Sequence, residues 1–273
     1  MHQFSARKRL IGELSWQRMV RSLLLIYTFV ALYVFFRADS MIFLPPPASY
    51  QDTEDILKLP VNTTEQIAAL YLPNAQATHT LLYMYGNAED LGDIRPLLEQ
   101  LHDWGFSVFA YDYRGYGASD GHPSERNAYQ DAEAAYRYLT EQLQIPPEQI
   151  ILYGRSLGGG SATELATRYP VGGLILESTF TSIFQVVVPF PLLPFDKFPN
   201  RHRLKDVQCP VLVMHGQADQ TIAFRHGQIL YEGARNPKAF LWVAGANHND
   251  FAQVAGDRLR EALVSFQAMV VSH

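Results

Sequence analysis

Residues 150–166 read IILYGRSLGGGSATELA. An apolar run of strand length passes at once into Gly154-Arg155-Ser156-Leu157-Gly158 and then into a helical pattern, so a glycine-x-serine-x-glycine turn sits between a predicted strand and a predicted helix. A strand-to-helix turn this tight forces its serine into a strained backbone conformation. Side chains beside it have to be absent, which Gly154 and Gly158 satisfy. The Ser156 hydroxyl is then exposed above the end of the strand, facing the free N–H groups and positive dipole end of the helix that begins there. The bare pattern is common; its weight comes from the strand before it and the helix after it.

Outward from this turn, short apolar runs alternate with helical patterns, the signature of strand-helix-strand units and a mostly parallel sheet. Strands are predicted at 56–61, 66–72, 81–85, 107–113, 149–153, 173–177, 211–215 and 240–243. Helices are predicted at 128–143, 158–168, 222–232 and 251–270, the last with Phe251, Val254, Ala255, Leu259, Leu263 and Phe266 on one stripe. Eight strands fit one doubly wound sheet flanked by helices. Segment 180–206, FTSIFQVVVPFPLLPFDKFPNRHRLKD, breaks this rhythm and reads as a short insertion over the edge of the sheet. Its apolar residues either pack on the main domain or form a small cap for an apolar substrate group, and the two readings are compatible.

The partners that an activated serine needs follow in the order serine, acid, histidine. The strand at 211–215 runs into Gly216-Gln217-Ala218-Asp219, and the strand at 240–243 leads into Gly245-Ala246-Asn247-His248. Both residues therefore fall just past the carboxyl ends of strands, where the reactive groups of open α/β sheets gather. In that arrangement His248 takes the proton of Ser156, and Asp219 fixes the imidazole tautomer and stabilises its charged form. Asp219 also fits as the N-cap of the helix at 222–232. An oxyanion hole needs one backbone donor after the nucleophile, Leu157, and one from the loop after an earlier strand, for which the Asn87 N–H in Tyr85-Gly86-Asn87-Ala88 is the natural source.

With 273 residues, 48% hydrophobic and 18% charged, the chain has a globular composition, and its formal net charge of -5 lacks the basic surplus that nucleic acid binding demands. Cys209 is the lone cysteine and makes no internal disulfide. Gly115, Gly117 and Gly121 miss the dinucleotide-binding spacing by one residue, and no metalloprotease or phosphate-loop motif is present, so no cofactor or metal is expected. Asp112 and Arg114 read as structural residues of their loop.

The amino terminus carries SLLLIYTFVALYVFF at 22–36, uncharged and bracketed by Arg21 and Arg37. It is short for the roughly 30 Å hydrocarbon core, a shortfall that both arginines make up by snorkelling. A signal-peptide core has similar length, but no small-residue cleavage site follows. The expected organisation is a basic segment and membrane anchor over 1–37, a proline-rich linker over 38–48 around Pro45, Pro46 and Pro47, and a catalytic domain over 49–273 with the insertion at 180–206. Arg7, Lys8, Arg9, Arg18 and Arg21 precede the apolar run. Only Arg37 follows it before Lys58, which keeps the amino terminus cytoplasmic and delivers the domain to the extracytoplasmic face.

YGNAEDLGD, YDYRGYGASDGHPSERNAYQDAEAAYRYL, YGRSLGGGSA, ESTFTS, VLVMHGQADQTIAFRHG and WVAGANHND together resemble the α/β-hydrolase superfamily. Within it they resemble the ABHD17-like depalmitoylases and related bacterial membrane-associated hydrolases. The resemblance spans about residues 72–266 and implies the α/β-hydrolase fold and catalytic roles for Ser156, Asp219 and His248. Two departures stand out. The oxyanion loop reads Tyr85-Gly86-Asn87 where the family usually has His-Gly-Asn. No cysteine precedes Cys209, so the lipid attachment and cytosolic address of the depalmitoylases do not carry over.

Three functions remain open at this level: a serine hydrolase of esters or thioesters working through an acyl-enzyme, a serine peptidase with the same triad, and a non-catalytic scaffold on a hydrolase fold. The insertion discriminates between the first two. An apolar slot lined by Phe184, Val187, Phe190 and Leu193 suits acyl chains, whereas an acidic cleft suits the free amine of a peptide. With only Asp196 and Asp206 acidic there, the balance leans to acyl chains.

Overall fold

The computed structural model describes residues 16–188 and 190–273. The chain divides into two units at the boundary between Ile42 and Phe43. In the first, α1 (Trp16–Ile42) is a single 27-residue helix, about 40 Å long at 1.5 Å per residue. It is the one helix among the described residues that is long and apolar enough to cross a bilayer. The uncharged run therefore lies inside a longer helix, with Arg21 and Arg37 on the helix itself. Arg7, Lys8 and Arg9, which carry much of the orientation argument, lie outside the described residues.

The second unit opens at Phe43, six residues ahead of Ser49. Phe43 is buried, its ring 6.5 Å from that of Tyr116 and 6.1 Å from that of Phe198. Beyond the prolines, the Ser49 N–H donates to Asp90 at 2.6 Å and the Tyr50 hydroxyl to Asp112 at 2.5 Å. The proline run is pinned to the domain at both ends.

Eight strands form one sheet: β1 (Ile56–Pro60), β2 (Gln66–Leu72), β3 (Thr80–Met84), β4 (Ser107–Tyr111), β5 (Ile150–Arg155), β6 (Gly173–Glu177), β7 (Val211–Gly216) and β8 (Lys238–Val243). Their order is β1-β2-β4-β3-β5-β6-β7-β8, with β1 and β2 antiparallel to their neighbours and the rest parallel. Strands β3 to β7 are buried at every position, as continuous apolar runs covered on both faces should be. The chain leaves β3 toward β4 on one side and returns to β5 on the other. The crevice at the carboxyl ends of β3 and β5 is thus the topological switch point, the default ligand site of such a sheet.

Helices pack on the sheet broadly where the sequence rhythm places them, with differences at several of them. First, α2 (Leu91–Asp103) stands where no helix is among those expected, and it carries Pro96 inside it. It forms because the Asp90 carboxylate caps the N–H groups of Gly92 and Asp93, and because Leu91, Ile94, Leu98 and Leu101 bury one stripe. Second, α3 (Glu125–Arg137) starts ahead of residue 128, at the Ser124 cap, and passes into a π-turn at Tyr138–Gln142. Third, after α4 (Gly158–Arg168), α5 (Ile183–Val187), α6 (Asn200–Arg203) and α7 (Arg225–Gly233), the expected last helix is two, α8 (Phe251–Ala255) and α9 (Asp257–Val271). They break at Gly256, whose φ of 54° a side chain would resist.

Asp112, past the end of β4, accepts from the hydroxyls of Tyr50 and Tyr85 and from the Leu91 N–H, at 2.5, 2.8 and 2.9 Å. It ties the entry segment, the β3 loop and α2 together, the structural role its loop position suggested. Burial pushes its carboxyl up from 3.8 to about 6 despite these donors. A raised carboxyl pKa means that the folded state holds the proton more tightly than the unfolded chain, so ionising Asp112 costs stability as pH rises through that window. Relative to Asp112→Asn, the wild type is expected to lose about 2 kcal/mol between pH 4 and 6.5, the slope reaching at most ~1.4 kcal/mol per pH unit between the unfolded and folded pKa values. Denaturant titrations of both proteins across that range measure the difference; a gap that does not change with pH contradicts it.

Candidate active site

Ser156 sits at the junction of β5 and α4 with φ of 50°, in the left-handed region. Its N–H donates to the Glu177 carbonyl at 2.9 Å, and its own carbonyl accepts from Thr179 Oγ1 at 2.6 Å. The flanking glycines are required sterically. A Cβ on Gly154 would lie 2.6 Å from the Gly159 Cα, and one on Gly158 would overlap the carbonyl oxygen of Met84 at the end of β3. Helix α4 can approach the sheet only because both are bare.

His248 follows β8, and its Nε2 lies 3.0 Å from Ser156 Oγ. Its Nδ1 lies 2.8 Å from Asp219 Oδ2. Asp219 stands in the turn after β7, where its other oxygen, Oδ1, accepts the N–H groups of Thr221 and Ile222 at 2.9 and 2.8 Å. Asp219 was a candidate N-cap for a helix from residue 222. It caps a turn instead, and α7 begins three residues later at Arg225. Dividing the two oxygens this way leaves one for His248. Burial would raise the Asp219 carboxyl, but hydrogen bonds from His215 and His248 and from the Ile222 N–H outweigh it and hold the carboxyl well below the usual carboxylate range. His215 is fully buried under the site, with Nε2 2.8 Å from the Ile222 carbonyl and 3.4 Å from Asp219 Oδ2. Sequence reasoning passed over His215, although its place at the end of β7 was a usable signal.

The 85–88 loop packs beside the serine: a Cβ on Gly86 would lie 3.3 Å from Ser156 Cβ. Asn87 is next in the chain, and its side-chain carbonyl accepts the Tyr116 hydroxyl at 2.7 Å. Leu157, on the other side of Ser156, is buried at the start of α4, where the backbone N–H groups have no acceptor within the helix.

Arg155 also went unread. Its buried guanidinium reaches Glu89 at 2.6 Å, the His248 carbonyl at 3.2 Å, Asn249 Oδ1 at 3.1 Å and Glu177 at 3.5 Å. Glu89 in turn accepts the Gly86 N–H at 3.2 Å, and the Tyr153 hydroxyl donates to Glu177. One cation thus joins the loop at Gly86, the loop at His248 and the end of β6. Burial raises the Glu177 carboxyl, and Arg155 opposes that rise.

The four insertion residues do not close a slot. Val187 is 83% and Phe190 58% exposed, Leu193 is half-buried, and Phe184 packs edge-on against Phe195 at 5.9 Å. Asp196 is occupied within the insertion by the Ser182 hydroxyl and by the N–H groups of Phe184 and Lys197, at 2.6, 3.1 and 2.8 Å. No group of three or more metal-ligating side chains occurs among the described residues.

A family model described as serine aminopeptidase, S33, matches residues 75–201. That range includes the 85–88 loop and Ser156 and ends before Asp219 and His248. The chain has the α/β-hydrolase fold, and the matched family and the relatives below support a hydrolase. It is similar to the human alpha/beta hydrolase domain-containing protein 17B, 41% identical over 191 residues covering 68% of this chain. The match spans 66% of that protein, just under two thirds of its length. The Caenorhabditis elegans alpha/beta hydrolase domain-containing protein aho-3 is 42% identical over 185 residues, 66% of this chain and 54% of its own. Among solved structures, an esterase from Pyrococcus furiosus has the same fold, with a TM-score of 0.71 over 84% of this chain and 98% of its own at 18% identity.

Removing Arg155 leaves Glu177 buried without its cation. Arg155→Met is expected to cost about 3–5 kcal/mol, and Arg155→Met with Glu177→Gln to recover most of that. Thermal unfolding of the three proteins measures both; equal midpoints for wild type and Arg155→Met contradict the assignment.

Proposed function

We propose that the protein is a serine hydrolase that cleaves a carboxylic ester or thioester, with acyl-chain substrates favoured, through an acyl-enzyme on Ser156. The observation that carries this reading is the continuous hydrogen-bonded chain from Ser156 Oγ through His248 to Asp219, at 3.0 and 2.8 Å. In the first half-reaction the Ser156 proton passes to His248 Nε2 as Oγ bonds to the acyl carbon. The bond to the leaving oxygen or sulfur then breaks, and the leaving group takes that proton. Water repeats the sequence against the acyl-enzyme, freeing the acid and restoring the serine hydroxyl. Asp219, held ionised, stabilises the imidazolium formed in each half. The backbone N–H groups of Leu157 and Asn87 serve as donors to the oxygen on which negative charge develops.

The acyl preference is supported by the exposed apolar side chains of Val187, Phe190 and Leu192 on the insertion. Asp196, its carboxylate already occupied, offers little to a peptide amine. The description of the matched family favours the peptidase alternative, so a peptide panel belongs beside the ester and thioester panels. No observation favours the scaffold.

With α1 as an uncleaved anchor, the protein is a single-pass membrane protein with its amino terminus cytoplasmic and the folded unit extracytoplasmic. Two experiments test these readings. A fluorophosphonate probe is expected to label the full chain and to leave Ser156→Ala and His248→Ala unlabelled, with turnover lower by about 10⁴-fold or more in both; persistent labelling of Ser156→Ala contradicts the assignment. In sealed cells or vesicles, protease added on the extracytoplasmic side is expected to digest the folded unit and leave α1 in the alkali-extracted membrane. Protection of the folded unit, or its release by alkali, contradicts the topology.

A further inference from the structure

The residues that open the folded unit are bonded to the loop beside Ser156. The Leu44 N–H lies 3.0 Å from Asn87 Oδ1 and 2.9 Å from the Tyr116 hydroxyl oxygen. That hydroxyl donates to the same Oδ1 at 2.7 Å, and the Ala88 N–H reaches it at 3.0 Å. Three donors from three parts of the chain converge on one side-chain oxygen. The Tyr116 ring cannot swing away. It is fully buried, with Phe43 at 6.5 Å, Tyr85 at 6.3 Å and Tyr113 at 5.7 Å around it. Burial also pushes the Tyr116 phenol up, so it keeps its proton and remains a donor. On its far side Phe43 packs on Phe198 at 6.1 Å, next to Pro199 and α6 of the insertion.

We infer that Phe43, Leu44 and Tyr116 are positioning residues that hold the Asn87 side chain, and through it the Gly86–Asn87 peptide, so that the Asn87 N–H meets the charge developing on the substrate oxygen. The inference rests on the reading of Ser156 as the nucleophile. It makes the first residues after the apolar helix part of the active-site framework. A donor of this kind acts on the tetrahedral, negatively charged species and only weakly on bound substrate. Loosening it therefore lowers kcat and leaves KM in place, whereas a general loss of structure lowers the amount of active protein and the unfolding temperature.

The test uses the full chain in detergent micelles with a p-nitrophenyl acyl ester. Tyr116→Phe keeps the ring packing and removes one donor; Leu44→Pro removes another while extending an existing proline run. Each is expected to lower kcat about tenfold to a hundredfold, as slight misplacement at a reacting centre does, with KM within about twofold. An alkyl boronic acid, whose adduct on the serine is tetrahedral and anionic, is expected to bind more weakly by the same factor. An unchanged kcat in Tyr116→Phe overturns the inference, as does a fall in kcat without weakened boronate binding. Should Leu44→Pro not fold, Tyr116→Phe still decides. A wild-type protein with neither turnover nor fluorophosphonate labelling instead overturns the serine-hydrolase reading itself.

Discussion

The chain reversal at Ser156 is the constraint on which the rest of the site depends. A strand becomes a helix across one non-glycine residue at φ 50°, a conformation that costs roughly 1–2 kcal/mol. The surrounding structure over-determines it. The Ser156 N–H is held by the end of β6, and its carbonyl by Thr179 and by the Gly159 N–H at 3.1 Å. The bare Cα of Gly158 lets α4 close onto the Met84 carbonyl. That approach draws the ends of β3 and β5 together at the switch point of the sheet, and so sets the 85–88 loop against the serine.

Around this turn a polar network ties together the loops that meet beside Ser156. Asp219 gives one oxygen to its own turn and the other to His248. Arg155, between Gly154 and Ser156 in the turn, reaches Glu89 in the loop beside Ser156 and the carbonyl of His248 in the loop after β8. A buried cation among the carboxylates of Glu89 and Glu177 is a costly arrangement if any member is lost, which makes the network a lock on geometry more than a source of net stability. Asn87 is held by Tyr116 and Leu44, so the loop beside Ser156 is tied by charge through Glu89 and by neutral hydrogen bonds through Asn87.

Features expressed locally in the chain were legible in the sequence. The eight strands, the turn at Ser156, and the positions of Asp219 and His248 past strand ends follow from apolar runs broken by glycine and polar residues, each a property of a few consecutive residues. What went unread depends on tertiary contacts. Helix α2 forms over Pro96 because its buried stripe and the Asp90 cap outweigh the lost hydrogen bond. Helix α7 starts late because Asp219 spends an oxygen on a turn. Phe43 belongs to the folded unit because its ring finds Tyr116 and Phe198, partners 73 and 155 residues away. The roles of Arg155, Glu89 and Glu177 arise only where three loops meet. In the insertion, apolar composition alone did not fix a shape: Val187 and Phe190 face solvent where a slot was expected.

The most direct measurement of the central claim is the covalent intermediate itself. Rapid acid quenching of the protein during turnover of an acyl ester, followed by peptide mapping, is predicted to find the acyl group on the peptide carrying Ser156, appearing and decaying at rates that account for steady-state turnover. Turnover with no acyl group on Ser156, or with the acyl group on another residue, would contradict the account.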